Sequence, residues 1–118
     1  MNEEVKQKWI AALESGEYKQ GKFNLNKDEQ FCCLGVLCDI YSKETGEPWV
    51  NSNFDYGKKL ILKAEGNLPV QVKKWSGLAS FDGGLSITNR QGGEVWLSNL
   101  NDHDMPFSQI VDLIKYDL

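Results

Sequence analysis

Three thiols fall within seven residues, at Cys32, Cys33 and Cys38 of the stretch "EQFCCLGVLCDIYSKETG". Such a cluster can hold zinc, form a disulfide, supply a nucleophile or fill a core, and the spacing separates these. A structural zinc site uses four ligands, commonly in CxxC-type pairs. That spacing is absent here, and the one histidine, His103, is remote in the chain. A bridge between the adjacent Cys32 and Cys33 is strained, and a cytosolic chain keeps its thiols reduced. The sharpest chemistry is nucleophilic: a cysteine that follows a strand and opens a helix gains thiolate character from the positive end of the helix dipole. It also needs an imidazole base and a polar residue to orient that base, which leaves His103 with Asp102 or Asp104 beside it. Against this stands simple packing. Reduced cysteine behaves as a small hydrophobe, and Cys33 and Cys38 share a helical stripe with Leu34, Leu37 and Tyr41. The expectation is core, with a cysteine hydrolase using Cys32 or Cys33 and His103 as the alternative; no metal or cofactor is expected.

Residues suited to holding a ligand lie elsewhere. "SGEYKQGK" sets Tyr18, Lys19, Gln20 and Lys22 between two glycines, where they can cradle an anion or a base or form a solvated connection. "NLNDHD" places Asn101, Asp102 and His103 ahead of a helix, and Asn and Asp favour turns and caps for local hydrogen-bonding reasons. Trp49 and Tyr56 occupy a loop rich in Pro and Asn, suited to stacking on a flat ligand, anchoring a partner protein or covering the core. Arg90, within "NRQGG", is the side chain suited to a bidentate phosphate contact. The candidate binding set is Tyr18, Gln20, Lys22, Trp49, Arg90, Asn101 and Asp102.

These residues need a frame, and the composition allows one. At 118 residues, with 41% hydrophobic and 25% charged content, the chain reads as a single domain spanning 1–118 with one modest core. The net charge is −4 and Arg90 is the single arginine. Duplex binding relies on neutralising phosphates and on bidentate arginine, so no duplex nucleic acid is expected. "MNEEVKQKW" lacks the basic-then-apolar pattern of a leader, and no apolar run approaches the ~20 residues of a membrane span. A cytoplasmic protein without a membrane partner is the expectation.

Periodicity supplies the elements. Residues 2–15 read as a helix with Val5, Trp9, Ala12 and Leu13 on one stripe, Asn2 as cap and Gly16 as stop. Phe23 and Leu25 alternate with polar neighbours as a short strand. The cysteine stretch is the best helix, ending at Gly46, and Gly35 inside it implies close backbone packing. "KKLILK" reads as a strand, and "NLPVQVKKWSGL" as a short helix with Pro69 in its first turn and Gly77 at its end. "GGLSITNRQGGEVWL" reads as a β-hairpin. "DMPFSQIVDLI" reads as a helix capped by Asp104, with Phe107, Ile110, Val111 and Ile114 as its stripe. The fold class is α+β: three or four helices packed around a small antiparallel β-sheet.

Two resemblances bear on function. "CCLGVLCD" is similar to the cysteine-bearing helix start of papain-like peptidases and amidases, which implies the hydrolase alternative. Over most of the chain, "WIAALESGEYKQGKFNL", "FCCLGVLCDIY", "LPVQVKKWSGL" and "LSNLNDHDMPFSQIVDLI", in this order, resemble a family of uncharacterised small bacteriophage and prophage proteins. That family tends to have small turn residues where this chain has His103, which weakens His103 as a base. The resemblance implies a protein of the host cell cytosol acting in host–phage conflict. Its expected partner is a small nucleotide-like signal, which it would sequester, or a host protein. A homo-oligomer is expected, because a symmetric interface enlarges the shallow pocket of so short a chain.

Overall fold

A computed structural model describes residues 1–51, 58–60, 68–78, 84–85 and 95–117. Helix α1 (Glu3–Glu14) starts where the sequence places it. Asn2 Oδ1 accepts from the Val5 N–H at 3.1 Å, and Glu3 and Glu4 face the positive helix end. Gly16, at φ 76°, turns the chain away. The buried stripe is Val5, Trp9, Ile10 and Leu13.

The chain then makes three two-residue strands, β1 (Lys19–Gln20), β2 (Asn26–Lys27) and β3 (Gln30–Phe31). The β2 strand pairs antiparallel with β3, whereas β1 runs parallel to β3 in the register Lys19↔Gln30. Two reversals separate β1 from β3, so the two strands point the same way. With β4 (Val50–Asn51) and β5 (Lys58–Leu60) the order is β1-β3-β2-β5-β4. The sheet is therefore mixed, which corrects the antiparallel expectation. The strand expected at Phe23 and Leu25 is also displaced: Phe23, at φ 68°, breaks the extended run, and pairing begins at Asn26.

Helix α2 (Cys33–Thr45) carries the thiols and ends at Gly46, φ 79°. Its first turn is buried on all sides, with Cys33, Leu34, Gly35, Val36, Leu37 and Cys38 all inside. Gly35 explains how. A Cβ there would stand 1.7 Å from the Leu25 carbonyl oxygen, so only glycine lets the β2 approach lie against the helix. This is the close packing expected of a glycine inside a helix.

Helix α3 (Val70–Ser76) has Pro69 at its N-cap rather than in its first turn, and Gly77 closes it at φ 74°. Strands β6 (Gly84–Leu85) and β7 (Val95–Trp96) pair antiparallel, as the two arms of the expected hairpin do. The hairpin tip with Arg90, and Tyr56 in the aromatic loop, lie outside the described residues. The segment read as a turn, "NLNDHD", is mostly helical: α4 (Leu97–Asp102) precedes α5 (Phe107–Asp117). The described residues thus contain five helices against the three or four expected. The core joins α1, α2, α4 and α5 through Trp9, Leu34, Leu37, Leu97, Ile110 and Ile114. No helix among the described residues is long and apolar enough to cross a membrane.

Candidate functional site

Asn101 is fully buried, and its amide joins three parts of the chain. Its Oδ1 accepts from the Cys33 N–H at 3.1 Å and from Gln20 Nε2 at 2.9 Å, while its Nδ2 donates to the Gly21 carbonyl at 2.8 Å. The Cys33 N–H is one of the first amides of α2, which have no partner within the helix. A side chain from α4 therefore satisfies the start of α2. Gln20 extends the knot: Nε2 also donates to the Met105 carbonyl at 2.8 Å, and Oε1 accepts from the Phe107 N–H at 3.2 Å, serving the start of α5. Asp102 Oδ1 accepts from the Phe23 N–H at 2.9 Å. Three expected binding residues are thus brought together from opposite ends of the sequence, with their main polar groups committed to the protein itself.

Above this knot lies a lip that is less committed. A cleft of about 200 Å³ is lined by Gln20, Lys22, Asn101, Asp104 and Pro106, and a second of about 100 Å³ by Gly21, Lys22, Asn24, Lys27, Asp28 and Gln30. Lys22 lines both, and its ammonium pairs with Asp104. Left-handed backbone occurs at Asp104, φ 71°, which lines the larger cleft, at Asp28, φ 52°, which lines the smaller, and at Phe23, φ 68°, which follows Lys22 in the chain and lines neither. For a bulky side chain this conformation is a genuine outlier, and such strain gathers at binding and catalytic sites. Phe23 is also 69% exposed.

Tyr18 and Trp49 form a different cluster. Asp39, on α2, accepts from the Tyr18 hydroxyl at 2.5 Å, Trp49 Nε1 at 3.0 Å and Lys43 Nζ at 3.1 Å. Phe31 stands edge-on to both rings. Burial pushes the Asp39 carboxyl up, but the hydrogen bonds from Tyr18, Trp49 and Lys43 outweigh it and hold the group below its ordinary value. Burial and the Asp39 hydrogen bond push the Tyr18 phenol up. The cluster fastens the aromatic loop to α2.

The thiols sit beneath all of this. Cys32 caps α2, its Sγ accepting from the Gly35 N–H at 3.4 Å, and Cys33 Sγ donates to the Leu97 carbonyl at 3.7 Å. An amide at a helix start favours thiolate, but burial dominates and pushes the Cys32 thiol up to about 11. Burial raises Cys33 and Cys38 well above the ordinary thiol value. His103 is exposed at the end of α4, with Nδ1 donating to the Asn99 carbonyl at 2.8 Å. Neutral, buried thiols and a surface imidazole bound to backbone are poorly arranged for acyl transfer, which needs a thiolate open to substrate. Among the described residues no group of three or more His, Cys, Asp or Glu is placed to hold a metal ion.

Sequence reasoning passed over Phe23 and Asp39. Phe23 looks like one member of an alternating strand, and nothing in its residue type announces a left-handed backbone. Asp39 lies i−4 from Lys43, a spacing that signals an ion pair but not the two aromatic donors.

Fold and site together define an α+β protein with a strained, charged lip over a saturated amide knot. The chain belongs to the family described as Domain of unknown function (DUF8296), with a match spanning residues 1–118. No curated protein and no solved structure matches it.

Proposed function

We propose that this is a phage-type cytosolic binding protein that acts in host–phage conflict by holding a small nucleotide-like molecule at the Lys22–Phe23 lip. Phe23 carries the reading: an aromatic ring 69% exposed, on a left-handed backbone, next to the lysine that lines both clefts. A strained backbone of this kind costs about 1–3 kcal/mol, and a solvated ring gains little packing in return. A base stacked on an aromatic ring contributes about 1–3 kcal/mol, and phosphate oxygens suit a lysine as a point charge. The high thiol pKa values and the burial of Cys32, Cys33 and Cys38 favour binding over the hydrolase alternative.

A host protein is the second reading, supported by the size of the cleft. At about 200 Å³ it is smaller than the usual 300–1,000 Å³ of small-molecule sites, and an exposed aromatic is a common interface anchor. A second copy of the chain closing over the lip would make up the volume, so a homo-oligomer belongs with the nucleotide reading.

Native mass spectrometry of protein purified from host cells, beside the same sample denatured, tests this. The nucleotide reading predicts a small-molecule mass that vanishes on denaturation and is missing from Phe23→Gly. A partner protein retained by the wild type and lost by Phe23→Gly supports the second reading. Bound species indifferent to Phe23 would remove the lip as the site.

A further inference from the structure

The larger cleft holds the Lys22–Asp104 ion pair. The two groups are in direct contact and line the larger cleft together, and Lys22 is the one cation among the described residues lining it. Their side chains are 41% and 78% exposed, a setting in which water screens an ion pair and leaves it weak. Asp104 holds the left-handed backbone, φ 71°, that closes α4, with the Met105 N–H donating to the Leu100 carbonyl at 3.1 Å, the ordinary helix-ending turn in which this position is left-handed. Its N–H donates to the Asn101 carbonyl at 3.3 Å. The side chain of that same Asn101 is fixed by Cys33 and Gly21, so the buried knot sets where Asp104 turns. A rigid support thus aims an exposed carboxylate at the cation of the cleft.

Resting on the nucleotide reading above, we propose that Asp104 is an internal stand-in for the ligand's phosphate. An incoming phosphate replaces the Asp104 carboxylate on Lys22 Nζ while the base stacks on Phe23. One oxyanion is exchanged for another at the same ammonium, with no covalent bond formed or broken. The weakness of the exposed pair makes the exchange easy. Its existence makes binding selective, because a neutral ligand leaves the carboxylate in place and gains nothing from Lys22.

Titration calorimetry on the full chain tests the exchange, with the common ribonucleoside monophosphates and the matching phosphate-free nucleosides as probes. The proteins are wild type, Asp104→Asn and Lys22→Gln. Asparagine keeps the shape of aspartate and accepts the left-handed backbone, so the fold is retained. Asp104→Asn is expected to bind a monophosphate about two- to five-fold tighter than wild type, the worth of an exposed ion pair. Its nucleoside affinity should stay the same, and Lys22→Gln should lose the preference for phosphate. If wild type binds a monophosphate and Asp104→Asn binds it no tighter, the inference is overturned and the nucleotide reading stands. If none of the three proteins binds any probe, the nucleotide reading falls and the inference falls with it.

Discussion

The first turn of α2 and the Lys22–Phe23 lip meet at Asn101, yet they treat their polar groups in opposite ways. In the helix turn polar groups at the junction have protein partners: the Cys33 N–H meets Asn101, the Gly35 N–H meets Cys32 Sγ, and the Cys33 carbonyl accepts from Trp9 Nε1 at 2.9 Å. At the lip, a phenylalanine is held in water and, among the described residues, a lysine is matched by an exposed aspartate. Residues that look reactive in a sequence can be buried in the core, and residues that look ordinary can carry backbone strain at the surface.

The contrast breaks most severely at Gly35. Gly35→Ala drives a methyl group into the Leu25 carbonyl, and both elements are backbone, so neither yields easily. Unfolding in urea should show a loss of about 3 kcal/mol or more, or no folded protein at all. Next in size is Asn101→Ala, which leaves the buried Cys33 N–H and the Gly21 carbonyl without their partner. A loss of about 2–4 kcal/mol is expected from two orphaned groups. A midpoint shift below a quarter of that would show that the knot is dispensable.

Asp39→Asn should cost about 1 kcal/mol at neutral pH, because it weakens the acceptor shared by Tyr18, Trp49 and Lys43. The pH dependence follows from the direction of the shift. The Asp39 carboxyl is held below its ordinary value in the fold, so its stabilisation is complete above the unfolded value of about 3.9 and is lost as pH falls through the lower folded value. The stability gap between wild type and Asp39→Asn should therefore close on acidification below about pH 4. A gap that widened in acid would reverse the sign of the argument. The smallest effect belongs to the lip: Phe23→Gly should leave stability unchanged or raise it by about 1 kcal/mol, since glycine accepts φ 68° freely. A loss comparable to that of Asn101→Ala would make Phe23 a structural residue.

Much of the frame was legible in the sequence because its signals are local. Asn2 and Gly46 announced the limits of α1 and α2, and the stripes of both helices and of α5 were periodic. The core placement of Cys33 and Cys38 followed from the same stripe. The parallel β1–β3 pairing was not legible, because strands two residues long carry no alternation and their partners are chosen by tertiary packing. The candidate site was half legible. Gln20, Lys22, Asn101 and Asp102 were picked out by type, and they do converge. Which of them would be committed internally depended on α4, a helix hidden in a run of Asn and Asp that reads as a turn.

The central claim, that the cysteine turn is sealed core, is tested most directly by the rate of thiol labelling in the native protein at neutral pH. Cys32, Cys33 and Cys38 should remain unlabelled until denaturant opens the fold, with any residual labelling no faster than unfolding allows. Rapid, site-selective labelling of Cys32 or Cys33 in the folded protein would contradict the account and restore the nucleophile.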